Sequence, residues 1–282
     1  MHVIVCIKQV PDSAQIRVHP VTNTIMRQGV PTIINPYDLF ALEEALKLKD
    51  RFGAKVTVIT MGPPMADQAL RKALTFGCDD AILLSDRVFA GADTLATSYA
   101  LASAIAKIGE TQPFDLVFCG KQTIDGDTAQ VGPGIAKRLG LNQLTYVWKI
   151  ESLDINAREI VVQRRAEGGV QTLKTALPAL ITMLEDTNEI RFGTMDDAFR
   201  AARTELTLWN AAAAGVTDPS KCGLKGSPTQ VKKVFAPPPR AVKATQIKGD
   251  SPAANAEHVI DALFSAHPGM QDDLRARTTQ NP

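Results

Sequence analysis

A chain of 282 residues can bury a sizeable core and fits one large domain or two modest ones. Its 31 basic and 30 acidic side chains leave a net charge of +1 with no basic block, which points away from nucleic acid and acidic membrane surfaces as partners. Cys6, Cys78, Cys119 and Cys222 lie far apart with no CxxC pair, so neither a zinc site nor a disulfide framework is expected, and no stretch reaches the roughly 20 apolar residues of a membrane helix. Met1 runs almost directly into an apolar stretch, which leaves no room for a signal peptide and makes a cytoplasmic protein with reduced thiols the expectation.

Residues 2–10 (HVIVCIKQV) form a β-branched run of the kind that becomes a buried central strand, ended by Pro11-Asp12. Residues 16–18 and 24–27, separated by Pro20 and Asn23, suggest a short hairpin. At Asn35-Pro36-Tyr37-Asp38 either Asn35 or Asp38 can cap a helix, and Leu39, Leu42, Ala45, Leu46 and Lys49 follow at helical spacing to about Arg51, with Gly53 closing it. A strand at 55–61, stopped by Gly62-Pro63-Pro64, leads to a helix at 66–76 with Gly77 at its end. A strand at 81–85, a long Ala- and Leu-rich helix at 93–108 and a fourth strand at 114–119 complete the alternation.

Alternating strands and helices imply a Rossmann-like α/β fold, a mostly parallel sheet with helices on both faces. Ligands in such sheets sit at the carboxyl ends of the strands near the topological switch, which gathers Cys6 to Gln9, Met61-Gly62 and residues 120–134 on one edge. In the stretch GKQTIDGDTAQVGPGIA (120–136) a strand end, a turn and a helix start follow in succession, and the free N–H groups and helix dipole there suit a phosphate or pyrophosphate. Asp125 and Asp127 would cap the turn or take ribose hydroxyls. The plain alternative is an ordinary connecting loop, since neither a Gly-rich dinucleotide fingerprint nor a GxxxxGK[ST] loop occurs.

Beyond Asn142 the segments 146–151, 159–167, 170–174 and 179–183 read as an antiparallel flank joined by short turns, one of them Glu167-Gly168-Gly169. Residues 186–193 read as an exposed loop and 198–205 as one or two helical turns. Proline and glycine crowd residues 221–240, the mark of an extended arm, and a last helix over 251–266 carries Ala256, Val259, Ile260, Leu263 and Phe264 on one face. That helix either docks on another subunit or folds back on its own domain. The expected division is a nucleotide-binding α/β domain over 1–220 and a C-terminal arm and helix over 221–282. His2, His19, His258 and His267 are scattered, and no serine elbow or carboxylate pair stands out, so no catalytic residue and no metal ligand is expected.

The run VQRRAEGGVQTL (162–173) followed by PALIT (178–182) resembles the signature of the β subunit of electron transfer flavoproteins. VIVCIKQVPD near the N-terminus, Asn35-Pro36 with Glu43-Glu44-Ala45, GKQTIDGDTAQVGP, and GLKGSPTQVKKVF (223–235) are similar to the same family, so the likeness spans about residues 2–264. The resemblance implies a heterodimer with an α subunit that carries FAD, and a β subunit that holds an adenine nucleotide without bond-making chemistry of its own. The nucleotide contacts it implies are Cys6, Asn35, Pro36, Tyr37, Asp38, Met61, Thr123, Ile124, Asp125, Gly126, Asp127, Thr128, Ala129, Gln130, Val131, Gly132, Pro133 and Gly134. It also implies that residues 186–203 meet an electron-transfer partner through Met195.

Subunits of this family that bind only AMP tend to read IDDDCNQTG and NPFC where this chain reads IDGDTAQVG and NPYD. The latter resembles the electron-bifurcating type with a second FAD, and Gly126 and Val131 lessen charge and bulk where a pyrophosphate must fit. The implied donor is NADH. The implied acceptors are an acyl-CoA dehydrogenase or similar flavoenzyme and a low-potential ferredoxin or flavodoxin, while AMP held structurally in a plain carrier is the alternative. A stand-alone adenine-nucleotide-binding or ATP-cleaving protein would instead show a Ser-Gly-Gly-rich loop where Lys8-Gln9-Val10-Pro11-Asp12 stands.

Overall fold

The computed structural model describes residues 1–12, 31–232 and 244–280, so the expected hairpin at 16–18 and 24–27 lies outside the described residues. The chain divides into two compact units, Met1–Phe235 and Ala236–Pro282. The first is built on a nine-stranded sheet in the order β11-β5-β4-β1-β6-β10-β7-β8-β9, with β1 (His2–Cys6), β4 (Lys55–Met61), β5 (Asp80–Leu84), β6 (Leu116–Gly120), β7 (Asn142–Asp154), β8 (Glu159–Ala166), β9 (Gly169–Ala176), β10 (Ala179–Met183) and β11 (Thr207–Trp209). From β5 to β7 all neighbours are parallel, and their order is the one in which doubly wound sheets bind dinucleotides, with the switch between β1 and β6. The expected Rossmann-like α/β fold is the fold observed.

The helices match the sequence pattern closely. α1 (Pro36–Phe52) ends at Gly53, whose φ of 64° is the left-handed turn a glycine C-cap supplies. α2 (Asp67–Thr75), α3 (Thr94–Thr111) and α4 (Val131–Leu139) follow β4, β5 and β6 in turn. One apolar cluster packs α1 and α2 against Val3, Val5, Val56, Val58 and Phe118, and the other packs α3 and α4 against Ile4, Ile59, Val117 and Leu180. Alternate residues of the same strands serve opposite faces, which is why the strands read as unbroken apolar runs. The second unit contains α6 (Pro252–Ala266) and α7 (Pro268–Gln280), the latter beyond the helix expected last.

Three details differ from the sequence pattern, each for a local reason. The first apolar run breaks after Cys6 and resumes as β2 (Gln9–Pro11), which pairs antiparallel with β3 (Thr32–Ile34), because the Lys8 N–H is taken by the Asp38 carboxylate and not by a neighbouring strand. The flank is antiparallel through β7, β8 and β9, but β10 returns between β6 and β7 and runs parallel to both. Its ALITM sequence is buried throughout, the mark of a strand covered on both faces. The helical turns expected at 198–205 begin earlier, as α5 (Met195–Arg203), because the Thr194 hydroxyl caps the Asp197 N–H.

α4 lies unusually close to its neighbours. A Cβ on Gly132 would stand 2.7 Å from the Thr182 methyl of β10, and one on Gly134 would stand 2.7 Å from the Ser98 Cβ of α3. Gly134→Ala should therefore force α4 from α3 at a cost of about 1–3 kcal/mol, lowering the melting temperature by roughly 2–4 °C per kcal/mol. A thermal scan unchanged to within a degree would show that the two helices pack with slack.

Candidate functional site

The carboxyl ends of β1, β4 and β6 and the starts of α1 and α4 meet at one edge of the sheet. Two side chains at the beginning of α1 join these pieces. Asp38, buried, accepts the Lys8 N–H on Oδ2 at 2.8 Å and the Gly120 N–H on Oδ1 at 3.1 Å, so that one carboxylate receives the chain leaving β1 and the chain leaving β6. Asn35, fully buried, donates from Nδ2 to the Gln122 carbonyl at 2.8 Å and accepts the Ile124 N–H on Oδ1 at 3.1 Å, while its own N–H donates to the Lys8 carbonyl at 2.8 Å. Neither residue caps α1 by its side chain, as helix-start residues usually do. Both are spent on holding two loops at a fixed separation.

Burial pushes the Asp38 carboxyl up to about 7, against the hydrogen bond from Asn35, the two backbone N–H donors and the positive charge of Lys8. Gly120 is required here, because a Cβ at that position would collide with Asp38 Oδ1 and with Tyr37. On the opposite face of the same strands Cys6 and Cys119 stand in register as neighbours. The Cys119 thiol is pushed up by its hydrogen bond with Cys6, by burial and by nearby negative charge, so it is a protonated, inert thiol.

The loop leaving β6 bends through two residues with left-handed backbones, Asp127 at φ 50° and Ala129 at φ 53°. Its acidic side chains both have partners. Asp125 takes the Lys8 ammonium on both oxygens at 2.8 Å across the mouth of the site, and although burial alone would raise its carboxyl, Lys8 and the Thr123 hydroxyl hold it below the usual range. Asp127 accepts from the Gln122 side-chain amide at 2.7 Å. α4 then starts at Val131 with no side-chain cap, because Gln130 is engaged with the Thr94 hydroxyl of α3 at 2.8 Å. The first-turn N–H groups of Val131 and Gly132 have no partner within the helix and, with the positive end of its dipole, face the loop.

An uncapped helix start beside a loop whose carboxylates are engaged by Lys8 and Gln122 suits a phosphate or pyrophosphate. The expected contacts fall into two groups by position. Thr123 to Val131 and Lys8 line the open edge, with Asp125 to Thr128 exposed, whereas Gly132 and Gly134 pack inwards against Thr182 and Ser98; Asn35, Asp38 and Cys6 lie beneath the edge, buried, while Met61 closes the end of β4. Lys8 and Gln130 as loop anchors carried no local signal, since their partners lie 117 and 36 residues away. Lys121 likewise stands between the rings of Tyr37 and Tyr146, 5.5 and 5.7 Å from their centroids.

Asp38→Asn keeps the side chain's shape but turns an N–H donor towards a backbone N–H, a loss on the order of 1–3 kcal/mol. It should also change the pH dependence. The folded chain keeps the Asp38 proton to about 7 whereas the unfolded chain releases it near 3.8, so the wild type loses stability relative to Asp38→Asn as the pH rises between these values and runs parallel to it above them. Urea midpoints measured for both proteins across that range check this; parallel curves throughout would show that Asp38 is already ionised at low pH.

Comparison with known proteins shows the family to which the chain belongs. The electron transfer flavoprotein domain matches residues 22–214. The chain is 69% identical over 278 residues to "Protein FixA" of Azorhizobium caulinodans, covering 98% of each chain, and 66% identical over 279 residues to "Protein FixA" of Azotobacter vinelandii, covering 98% of this chain and 99% of the other. It is 49% identical over 268 residues to "Electron transfer flavoprotein subunit beta" of Clostridium acetobutylicum, covering 95% of this chain and 99% of that one.

Proposed function

The chain belongs to the electron transfer flavoprotein family, as a β-type subunit serving electron transfer, and from that premise we propose that its nucleotide edge holds FAD and that it takes part in NADH-dependent electron bifurcation. The observation that supports FAD most directly is the uncapped first turn of α4, reached by a loop in which Lys8 neutralises Asp125 and Gln122 holds Asp127. Gly126 and Val131 keep further charge and bulk out of the same place. When bound, FAD supplies the hydride acceptance and the one-electron steps; the protein supplies position and exclusion of stray oxidants. In this reading the first-turn N–H groups of α4 hold the pyrophosphate, Asn35 and Asp38 keep the loops from closing on it, and Lys8 fixes Asp125 to one side.

Subunits of this kind pair with an α subunit. We assign that contact in part to α6, on which Val259, Ile260 and Leu263 are 40%, 49% and 44% exposed. The electrons leave towards an acyl-CoA dehydrogenase or similar flavoenzyme, met through Met195, and towards a ferredoxin or flavodoxin. No helix among the described residues is long and apolar enough to cross a membrane, and four buried free cysteines support a cytoplasmic location.

Acid extraction of the purified heterodimer followed by chromatographic counting should give two FAD and no AMP; one of each would make this the plain carrier type. Gly126→Asp adds a carboxylate beside the phosphates and should cost about 1 to 3 kcal/mol, lowering FAD occupancy of this subunit by roughly 5- to 150-fold. Met195→Glu should weaken electron transfer to the flavoenzyme with flavin content unchanged, and equal activity would remove Met195 from the partner surface.

A further inference from the structure

Tyr146 carries a left-handed backbone, φ 59°, inside β7, where a side chain of that bulk is rarely tolerated. The pairing of β7 with β10 slips between Ile181 and Met183 at this point, and a bulge of this kind re-aims the side chain it displaces. Three hydrogen bonds hold the irregularity in place. The Tyr146 N–H donates to the Thr182 hydroxyl at 3.1 Å, the Arg164 Nε to the Thr145 carbonyl at 2.9 Å, and the Leu184 N–H to the Val147 carbonyl at 2.9 Å. A strained residue persists only where its surroundings over-determine it, and this one is fixed from both neighbouring strands.

The ring so aimed meets Lys121. Its ammonium stands 5.7 Å from the centroid of Tyr146 and 5.5 Å from that of Tyr37 on the first turn of α1, while its backbone N–H donates to the Met183 carbonyl at 2.8 Å. Ring faces attract and orient a cation, yet they do not neutralise it as a carboxylate would. Among the described residues no carboxylate pairs with Lys121, whereas the Lys8 ammonium at the same edge is bound to both oxygens of Asp125. The start of α4 meets the same strand end. Thr182, whose hydroxyl takes the Tyr146 N–H, has its methyl 2.7 Å from where a Cβ on Gly132 would stand. An oriented positive charge therefore shares the ends of β6 and β10 with the uncapped first turn of α4.

We propose that Lys121, held between Tyr37 and Tyr146, is a phosphate-binding residue of the nucleotide edge. This rests on the reading of that edge as a nucleotide site and adds to it a charged contact and the pair of rings that presents it. A helix start offers about half a positive charge spread over several N–H groups, whereas an ammonium in direct contact offers a whole one. The rings restrain the four-carbon stem of the lysine and leave its charge in force, which an acidic partner could not do. The bulge at Tyr146 then has a use: without it the ring would not reach Lys121, and the ammonium would be free to turn away into water.

The test uses the heterodimer stripped of bound nucleotide and measures, by calorimetry, the Kd of FAD, AMP, inorganic pyrophosphate and adenosine. Lys121→Met keeps a flexible stem between the rings and removes the charge. It should raise the Kd of pyrophosphate, and of whichever nucleotide the edge holds, about tenfold, while the Kd of adenosine and the melting temperature stay unchanged. Lys121→Arg should restore most of the affinity. Tyr146→Asn, which accepts the left-handed backbone but lacks the ring, should weaken pyrophosphate about threefold. Pyrophosphate should also protect Lys121 of the wild type from acetylation by acetic anhydride, read by mass spectrometry. If the wild type binds none of FAD, AMP and pyrophosphate, the nucleotide reading fails and this inference with it. If they bind and Lys121→Met changes no Kd, the nucleotide edge stands and Lys121 has no part in it. An equal weakening of adenosine would make Lys121 a prop of the fold, and a weakening of FAD without pyrophosphate would put it against another part of the cofactor; either result overturns the proposal.

Discussion

One buried carboxylate sets the geometry on which the nucleotide edge depends. Asp38 receives the N–H groups of Lys8 and Gly120, each of which lies just past or at the end of a central strand. Where two parallel strands end, their last backbone donors must find partners or be left dry, and a shared side chain satisfies both while spacing the loops that follow. Remove that bridge and β1 would continue towards Lys8, β2 would lose its register with β3, and the loop that carries Thr123 to Gln130 would lose its starting point. Asn35 repeats the device one turn earlier, tying the Lys8 carbonyl to Gln122 and Ile124. The cost is a carboxyl held near 7 by burial, tolerable because its oxygens face donors.

The same helix serves a second purpose further along. α1 carries three buried acidic residues, Asp38, Glu43 and Glu44, and each is matched to a segment distant in sequence. Its first turn holds the loops of the nucleotide edge, and its middle holds the 188–191 segment through Glu43, Glu44 and the Phe40 carbonyl. One rigid element therefore fixes the distance between the carboxyl ends of β1 and β6 and the 188–191 segment. Nothing in this arrangement needs α1 to move; it acts as a fixed beam.

The parallel sheet explains why the site is where it is. β1 lies between β4 and β6, the point of reversal at whose carboxyl ends sheets of this order take their ligands. β10 joins β7 to a parallel run of seven strands from β11 to β7, and its Met183 carbonyl receives the Lys121 N–H just past β6. α4 can lie against β10 and α3 only because Gly132 and Gly134 have no side chains, which brings its first turn down to the sheet edge.

Much of this was legible in the sequence alone. Periodicities of two and 3.6 are local, so the strands at 55–61 and near 80 and 116, and the helices from Pro36, Asp67 and Thr94, could be read to within a few residues, and with them the α/β class. The family likeness was legible too, because it rests on long spaced motifs. What the sequence could not decide were the pairings across long separations: Lys8 with Asp125, Arg191 with Glu43, Gln130 with Thr94, and the return of β10 between β6 and β7. Nothing local in Glu43-Glu44 marks the pair for burial, and only the arrival of Arg191 and Asn188 some 145 residues later makes it possible. Local pattern reports what a segment prefers by itself; the burial of a charge depends on which distant segment the folded chain brings to meet it.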